Sequence, residues 1–373
     1  MRWSIGWMGF LGALWGMVCV AIGCQPAPVF DQRKLLQDTV DIVILPLAEA
    51  YVEKARALKT AGETLCKKPD SIALEAMRAA WREAKLAWKR TEIVRFGPAM
   101  DLRTRSYVDW WPLQSEGVEK ALASQDVLDV KYIEDTLGSS RRGLTAIEYL
   151  IFDREKPAWE RLQGDTQQGG RQCAFLLAAL TSFEGRSAAY GQAWRKDGGN
   201  FGREMVEAGR DSKAFATLQA PVDQLINESV YWAENLEQMK LAVPLGKKSG
   251  STAPQPTQVE SLWGKLSKEA ILANLEGLAA LYGCSYNGKT GLSLYDLLRS
   301  RGYGTVATKV KAQFQAAQEA LSAIPPPLQQ ALLSENAKVE AAYQAVMELR
   351  KILATEVSSA LGTVLNFTDN DGD

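Results

Sequence analysis

The chain has 373 residues, 46% hydrophobic and 23% charged, with 43 Lys+Arg against 44 Asp+Glu and no histidine. These proportions describe a globular chain able to build a sizeable core, and the near-neutral balance lacks the basic excess that phosphate neutralisation needs, so nucleic acid is not an expected partner. The absence of histidine excludes Ser-His-Asp and Cys-His nucleophile systems, a His-x-x-x-His zinc helix and His-ligated haem or copper, leaving chemistry to carboxylates, hydroxyls, thiols and lysine.

Arg2 precedes an apolar stretch from Trp3 to Ile22 that ends in Ala21-Ile22-Gly23-Cys24 and runs into Gln25-Pro26-Ala27-Pro28. A charged start, an apolar run and small residues before a cysteine read as a lipoprotein signal over 1–23, with Cys24 the lipidated first residue of the mature chain. An uncleaved anchor of about 20 apolar residues is the competing reading. Both place the remainder outside the cytoplasm, in a bacterial cell envelope, facing the periplasm or the exterior. Gln25 gives no inner-membrane retention signal of the Asp type, which favours the outer membrane. Removing 1–23 takes away one base, Arg2, so 42 bases face 44 acids and the mature charge is −2.

With Cys19 cleaved away and Cys24 modified, Cys66, Cys173 and Cys284 remain. An oxidising compartment permits one disulfide. Cys66 with Cys173 is the expected pair, both lying in the N-terminal half at expected helix ends; three unpaired buried thiols are the alternative.

The periodic segments read as helix throughout. Apolar residues recur at three- and four-residue spacing over Leu35–Leu65, with Pro46 as a kink or a helix start, and over Ser71–Phe96, where Asp70-Ser71 offers an N-cap. Helices are expected to continue over Leu113–Ala123, Ser140–Phe152, Arg171–Trp194 and Phe215–Met239. The sharpest composition shift is 245–257, small, polar and Pro-containing, which reads as a linker or a long exposed loop. Beyond it come Val259–Tyr282, Leu292–Arg299, Val306–Ala323 and Gln329–Val357, the last two separated by Pro325-Pro326-Pro327. The expectation is therefore an all-α protein of two helical-bundle regions, 24–244 and 258–373, joined at 245–257.

Three places depart from plain amphipathic helix. Arg95-Phe96-Gly97-Pro98 ends a helix, and the loop that follows carries Asp101, Arg103, Arg105, Asp109, Trp110 and Trp111. It could hold a ligand through arginine pairing and aromatic packing, or could be an inter-helix loop whose arginines pair with Asp101 and Asp109. Next, Thr145 and Glu148 in Gly143-Leu-Thr-Ala-Ile-Glu-Tyr149 share a helical face, and apolar neighbours make burial of Glu148 expected. A buried carboxylate needs a partner or a raised pKa; by composition that partner is more often an arginine than a metal. Finally, Asp369, Asp371 and Asp373 crowd the last five residues, where they could take a hard cation or form a solvated acidic tail.

Taken together, the helix leading to Cys66, the Trp81…Trp88…Phe96-Gly97-Pro98…Trp111-Pro112 run, Gly143…Glu148-Tyr149-Leu150-Ile151-Phe152, Gly291-Leu292-Ser293-Leu294…Leu297 and the closing Leu361-Gly362…Phe367…Asp371-Gly372-Asp373 resemble the imelysin-like proteins, also called the imelysin peptidase family. The resemblance covers essentially the whole mature chain in order. It implies two helical bundle-like domains, a bacterial envelope location and, as in several members, a link to iron acquisition. The family name reflects a proposed metallopeptidase activity. Its signature is Gly-x-His-x-x-Glu, in which the His and Glu could take a metal. Here Gly143 and Glu148 fit the pattern, but Thr145 stands at the histidine position. The resemblance also brings Arg95, Asp109, Trp111, Asp371 and Asp373 forward as residues that could line the same cleft.

The reading that fits best is a non-catalytic envelope lipoprotein that binds a ligand, such as iron or another hard cation, in a crevice between helical bundles. Glu148 would be its metal donor, together with Thr145, Asp109 or the terminal aspartates. No cofactor is fixed by the sequence. Expected partners are the membrane through the lipid anchor and a metal, a small ligand or an envelope protein. The alternatives are an imelysin-type metallopeptidase and a structural or interaction lipoprotein. For a hydroxyl nucleophile, neither Ser261-Leu-Trp-Gly264 nor Ser115-Glu-Gly-Val118 has the Ser-x-x-Lys spacing.

Overall fold

The computed structural model describes Met1 and residues 30–152, 156–163, 167–248 and 253–366, so the signal-like segment, Cys24, Asp371 and Asp373 lie outside the described residues. Helix α1 (Gln32–Asp38) widens into a π-helical turn (Thr39–Ile44) and continues as α2 (Leu45–Lys67). Pro46 lies in the first turn of α2, where its missing N–H and fixed φ are tolerated. The Asp70 side chain accepts the Ala73 N–H at 2.8 Å and starts α3 (Ser71–Thr91). Leu74, Met77, Trp81, Ala84 and Trp88 form its buried stripe, and Lys85 and Lys89 point the same way.

Short helices α4 (Pro98–Asp101), α5 (Thr104–Val108) and α6 (Ser115–Ala123) carry the chain through the arginine- and tryptophan-rich stretch to α7 (Gly143–Ile151) and α8 (Ala158–Arg161). Helices α9 (Gln167–Trp194), α10 (Phe201–Val206) and α11 (Ala220–Asn235) follow, α11 running on through a π-helical turn, Leu236–Ala242. Helix α2 packs between α3 and α9, around Tyr51, Trp88, Phe183 and Tyr190.

After the 245–257 segment come α12 (Ser267–Gly283), the two-residue strands β1 (Ser285–Tyr286) and β2 (Lys289–Thr290), α13 (Leu294–Ser300), α14 (Gly304–Ser322), α15 (Leu328–Ser334), α16 (Asn336–Ile352) and, after a π-helical turn, α17 (Ser358–Leu361). Asn287 and Gly288 both adopt positive φ, which suits them to the tight turn between the strands. The protein is otherwise all-α. Helix α14 packs on α16, and α12 lies along α3, so helices from either side of 245–257 share an interface. The described residues from Asp31 onward form one compact unit. Within 245–257, Leu245 is buried, Gln255 N–H donates to the Pro244 carbonyl and Lys247 pairs with Glu340 at 3.0 Å. No helix among the described residues is long and apolar enough to cross a membrane.

The structure corrects one boundary that bears on function. A helix is expected from Val259, but α12 starts only at Ser267. Residues 258–266 are non-helical, with Lys265 at φ +55°. Their polar groups are held by tertiary partners instead of a helical ladder, as shown below.

A disulfide joins Cys66, in the last turn of α2, to Cys173 on α9, with Cα atoms 5.6 Å apart; Cys284 is a buried free thiol. The bond closes a loop of 107 residues in sequence separation, so it strongly restricts the unfolded chain. Replacing both Cys66 and Cys173 by Ala should lower unfolding free energy by about 2–4 kcal/mol in denaturant titrations. An unchanged midpoint would show that the crosslink contributes nothing to stability.

Candidate functional site

Helix α7 opens at Gly143 with φ +72°, and a Cβ there would lie 2.3 Å from the Val108 carbonyl oxygen, so only glycine fits. This close approach sets the 108–110 segment beside α7. Thr145, 1% exposed, donates its hydroxyl to the Trp110 carbonyl at 3.0 Å, with the Arg142 carbonyl at 3.4 Å. One turn on, Glu148 is fully buried. Its Oε1 accepts from Ser261 Oγ at 2.9 Å, Trp263 N at 3.0 Å and Gly264 N at 2.7 Å, while Oε2 has no hydrogen-bond partner. The expected arginine partner is replaced by one hydroxyl and two backbone amides. Gly264 is also obligatory: a Cβ there would sit 2.6 Å from the Trp81 ring.

Beside Glu148 lies a buried set of ionic groups. Lys85 Nζ donates to both Asp109 oxygens, at 2.6 and 2.8 Å. Lys89 Nζ reaches Asp109 at 2.6 Å, Glu92 at 2.9 Å and Glu260 at 2.5 Å. Lys240 Nζ contacts Glu260 at 3.0 Å and Glu92 at 3.5 Å, and donates to Asn274 Oδ1 at 2.6 Å. The Asn274 amide in turn donates to the Lys89 carbonyl and to Glu92. All six charged side chains are under 10% exposed. The set ties α3 and Glu92 just beyond it to the 108–110 segment, the π-helical turn after α11, the 258–266 segment and α12.

The charge balance decides the protonation states. Three lysines meet three carboxylates, Asp109, Glu92 and Glu260, and Glu148 is a fourth acid without a fourth base. Burial would raise Glu260 and Asp109, but the lysines outweigh it: Lys240, Lys89 and Lys85 hold Glu260 well below the usual carboxylate range, and Lys85 and Lys89 lower Asp109. For Lys89, Asp109, Glu260 and Glu92 overcome a desolvation that favours the neutral amine. For Glu148 desolvation wins over Lys85 and the loop donors, pushing its pKa up to about 7.

The outer side of the same loop faces a groove. Trp263, Gly264, Lys265, Leu266 and Glu269 form one part of its lining; Glu75, Arg78, Arg82, Phe152, Pro326 and Pro327 complete it around a volume of about 670 Å³. Arg78 and Arg82 place their guanidinium carbons 5.1 and 5.4 Å from the Phe152 ring centroid, and Trp263 packs edge-on to Tyr149.

The imelysin model, peptidase M75, matches residues 44–355. The chain belongs to the imelysin family. It is 26% identical over 325 residues to iron-regulated protein A of Synechococcus elongatus, covering 87% of this chain and 85% of the relative. Among solved structures, a protein from Parabacteroides distasonis assigned as an iron-regulated protein A precursor superposes with a TM-score of 0.76 at 19% identity, covering 91% of this chain and 97% of the other. An imelysin-like protein from Psychrobacter arcticum gives 0.72 at 17%, covering 90% and 97%. At these identities the two structures establish the shared fold.

Against the imelysin signature, the described residues around Thr145 and Glu148 do not fit a metal. Thr145 spends its hydroxyl proton on a backbone carbonyl, and Glu148 Oε1 already accepts three hydrogen bonds. Asp109, which could have joined Glu148, is occupied by two lysines. Among the described residues no group of three or more His, Cys, Asp or Glu side chains is placed to hold a metal ion. Trp111 lies near but serves differently, donating Nε1–H to the Val259 carbonyl at 2.9 Å and so pinning the start of the 258–266 segment. Arg95 goes elsewhere: it pairs with Glu228 at 3.1 Å over the Tyr231 ring, in a separate groove with Arg350 and Asn366.

Sequence reasoning missed Lys85, Lys89, Glu92, Lys240, Glu260, Ser261, Gly264 and Asn274. One signal was available: Lys85 and Lys89 fall on the Trp81–Trp88 stripe of α3, where a lysine must be paired to be tolerated.

Two outcomes follow from this geometry. Lys89→Met removes one cation from three carboxylates and should cost about 3–5 kcal/mol in denaturant unfolding, because the acids left behind stay buried; a loss under 1 kcal/mol would mean the set is solvated. For Glu148, the folded pKa near 7 lies above the ordinary 4.5, so the folded chain keeps a proton that the unfolded chain releases. The stability tied to that proton is full below pH 4.5, is lost as pH rises to 7 and is flat beyond, on the order of 3 kcal/mol. Comparing melting temperatures of the parent and Glu148→Gln from pH 4.5 to 8 should show a steeper decline in the parent, and parallel curves would refute it.

Proposed function

We propose that this chain is a non-catalytic, ligand-binding member of the imelysin family, lipid-anchored at Cys24 in the bacterial envelope with its body facing the periplasm or the exterior, and that it serves an iron-linked process. On this reading the ligand sits in the crevice between the helical region before 245–257 and the region after it. The observation that carries the reading is the two-sided 260–266 segment. Its inner side is taken up by Glu148, whose Oε1 accepts from Ser261, Trp263 and Gly264, while its outer side, with Trp263 and Lys265, lines an open groove against α3. The iron link is supported by the description "iron-regulated" carried by two relatives. An oxidising envelope location is supported by the precursor description of one of them and by the Cys66–Cys173 bond.

The test has two arms. Thermal shift of the mature protein with iron offered as several chelates should raise the melting temperature with at least one of them, and Trp263→Ala should abolish the shift. Incubation with unfolded casein, with and without zinc, should leave the substrate intact. Cleavage that disappears in Glu148→Gln would restore the peptidase reading and overturn this one.

A further inference from the structure

Building on the crevice reading above, we propose that the groove takes a small hydroxy-polycarboxylate, free or with iron bound to it, held by Arg82 and Lys265 and seated against Trp263. The groove lining carries three bases and two acids. Glu75 is already matched, since Arg78 pairs with it at 2.6 Å and also donates to the Ile151 carbonyl. Arg82 and Lys265 are different. Among the described residues neither has a carboxylate partner; Arg82 rests only on the Phe152 ring, and Lys265 projects as an exposed side chain from a left-handed backbone position. Two uncommitted cations from separate elements, one of them a planar guanidinium, suit an anion with at least two carboxylates.

The second acid, Glu269, narrows the class. Its Oε1 lies 3.9 Å from Lys268, beyond hydrogen-bond distance, and has no hydrogen-bond donor among the described residues. An anion made only of carboxylates would be repelled by that oxygen, whereas a ligand hydroxyl can donate to it. Trp263 and Phe152 then cover the ligand's carbon skeleton. A bare metal cation would meet Arg82 and Lys265 first, so iron would enter as an anionic complex.

Calorimetric titration of the full mature chain at low salt should use four probes: citrate, ferric citrate, tricarballylate, which has the same three carboxylates but no hydroxyl, and a neutral iron trihydroxamate. Citrate or its ferric complex should bind. Arg82→Gln and Lys265→Gln should each weaken it about tenfold, added salt should weaken it further, and tricarballylate should bind several-fold less tightly. Binding by citrate alone or by ferric citrate alone identifies which form the groove accepts, and either supports the proposal. Citrate affinity unchanged in the Arg82→Gln/Lys265→Gln double variant overturns it. So does binding of the trihydroxamate with none of citrate, and in that case loss of the trihydroxamate binding in Trp263→Ala leaves the crevice reading standing. If neither citrate nor any iron chelate binds or shifts the protein, both fall together.

Discussion

Six charged side chains buried where α3, the 108–110 segment, the turn after α11, the 258–266 segment and α12 converge set the terms for the rest of this molecule. Buried ion pairs are expensive to desolvate and contribute little net stability against well-packed apolar residues, yet removing one partner leaves a charge stranded. The network therefore acts chiefly as a constraint on arrangement. Asp109 cannot meet Lys85 and Lys89 unless Gly143 admits the 108–110 segment against α7, and Glu260 cannot reach Lys89 and Lys240 unless the chain after Val259 stays out of helix. Asn274 finishes the set from α12, which ties the helices on the two sides of the 245–257 segment through one shared group of hydrogen bonds.

Next to this balanced set, Glu148 holds a surplus position. In the imelysin signature a histidine precedes it by three residues and could supply both a metal donor and a positive charge. With Thr145 in that place neither is available, and the carboxylate is served by neutral donors from the loop. The helix turn that carries the signature supports the 261–264 backbone, and the groove lined by Arg82, Trp263 and Lys265 lies on the opposite side of that backbone.

The helical character of the chain was legible because its apolar spacing is regular; α3 and α9 lie close to where the periodicity puts them. Gly143, Thr145 and Glu148 were legible as a cluster from one turn of helix. The network was not, since its members come from positions 85 to 274 and only Lys85 and Lys89, on the Trp81–Trp88 stripe, signal burial from their own helix. The start of α12 was misplaced for a related reason: Val259 to Tyr282 has helical spacing, but tertiary demands on Glu260, Ser261 and Gly264 override it. Asn287-Gly288 carried a hairpin signal that short, weakly apolar flanks concealed. Arg95 and Trp111 could be grouped in sequence with Asp109, yet the folded chain sends them to three different tasks.

The wall made by Trp263 and Gly264 is a single backbone strand thick, with a proton-holding carboxyl on one side and an open groove on the other. Any coupling between occupancy of the groove and protonation of Glu148 through those amides is reciprocal. Whatever occupies the groove and shifts the amides of 263 and 264 also changes the proton affinity of Glu148, and the heat of occupancy then varies with the ionisation enthalpy of the buffer. Near neutral pH the interior would thus report on the groove through proton exchange with solvent, without any helix having to move.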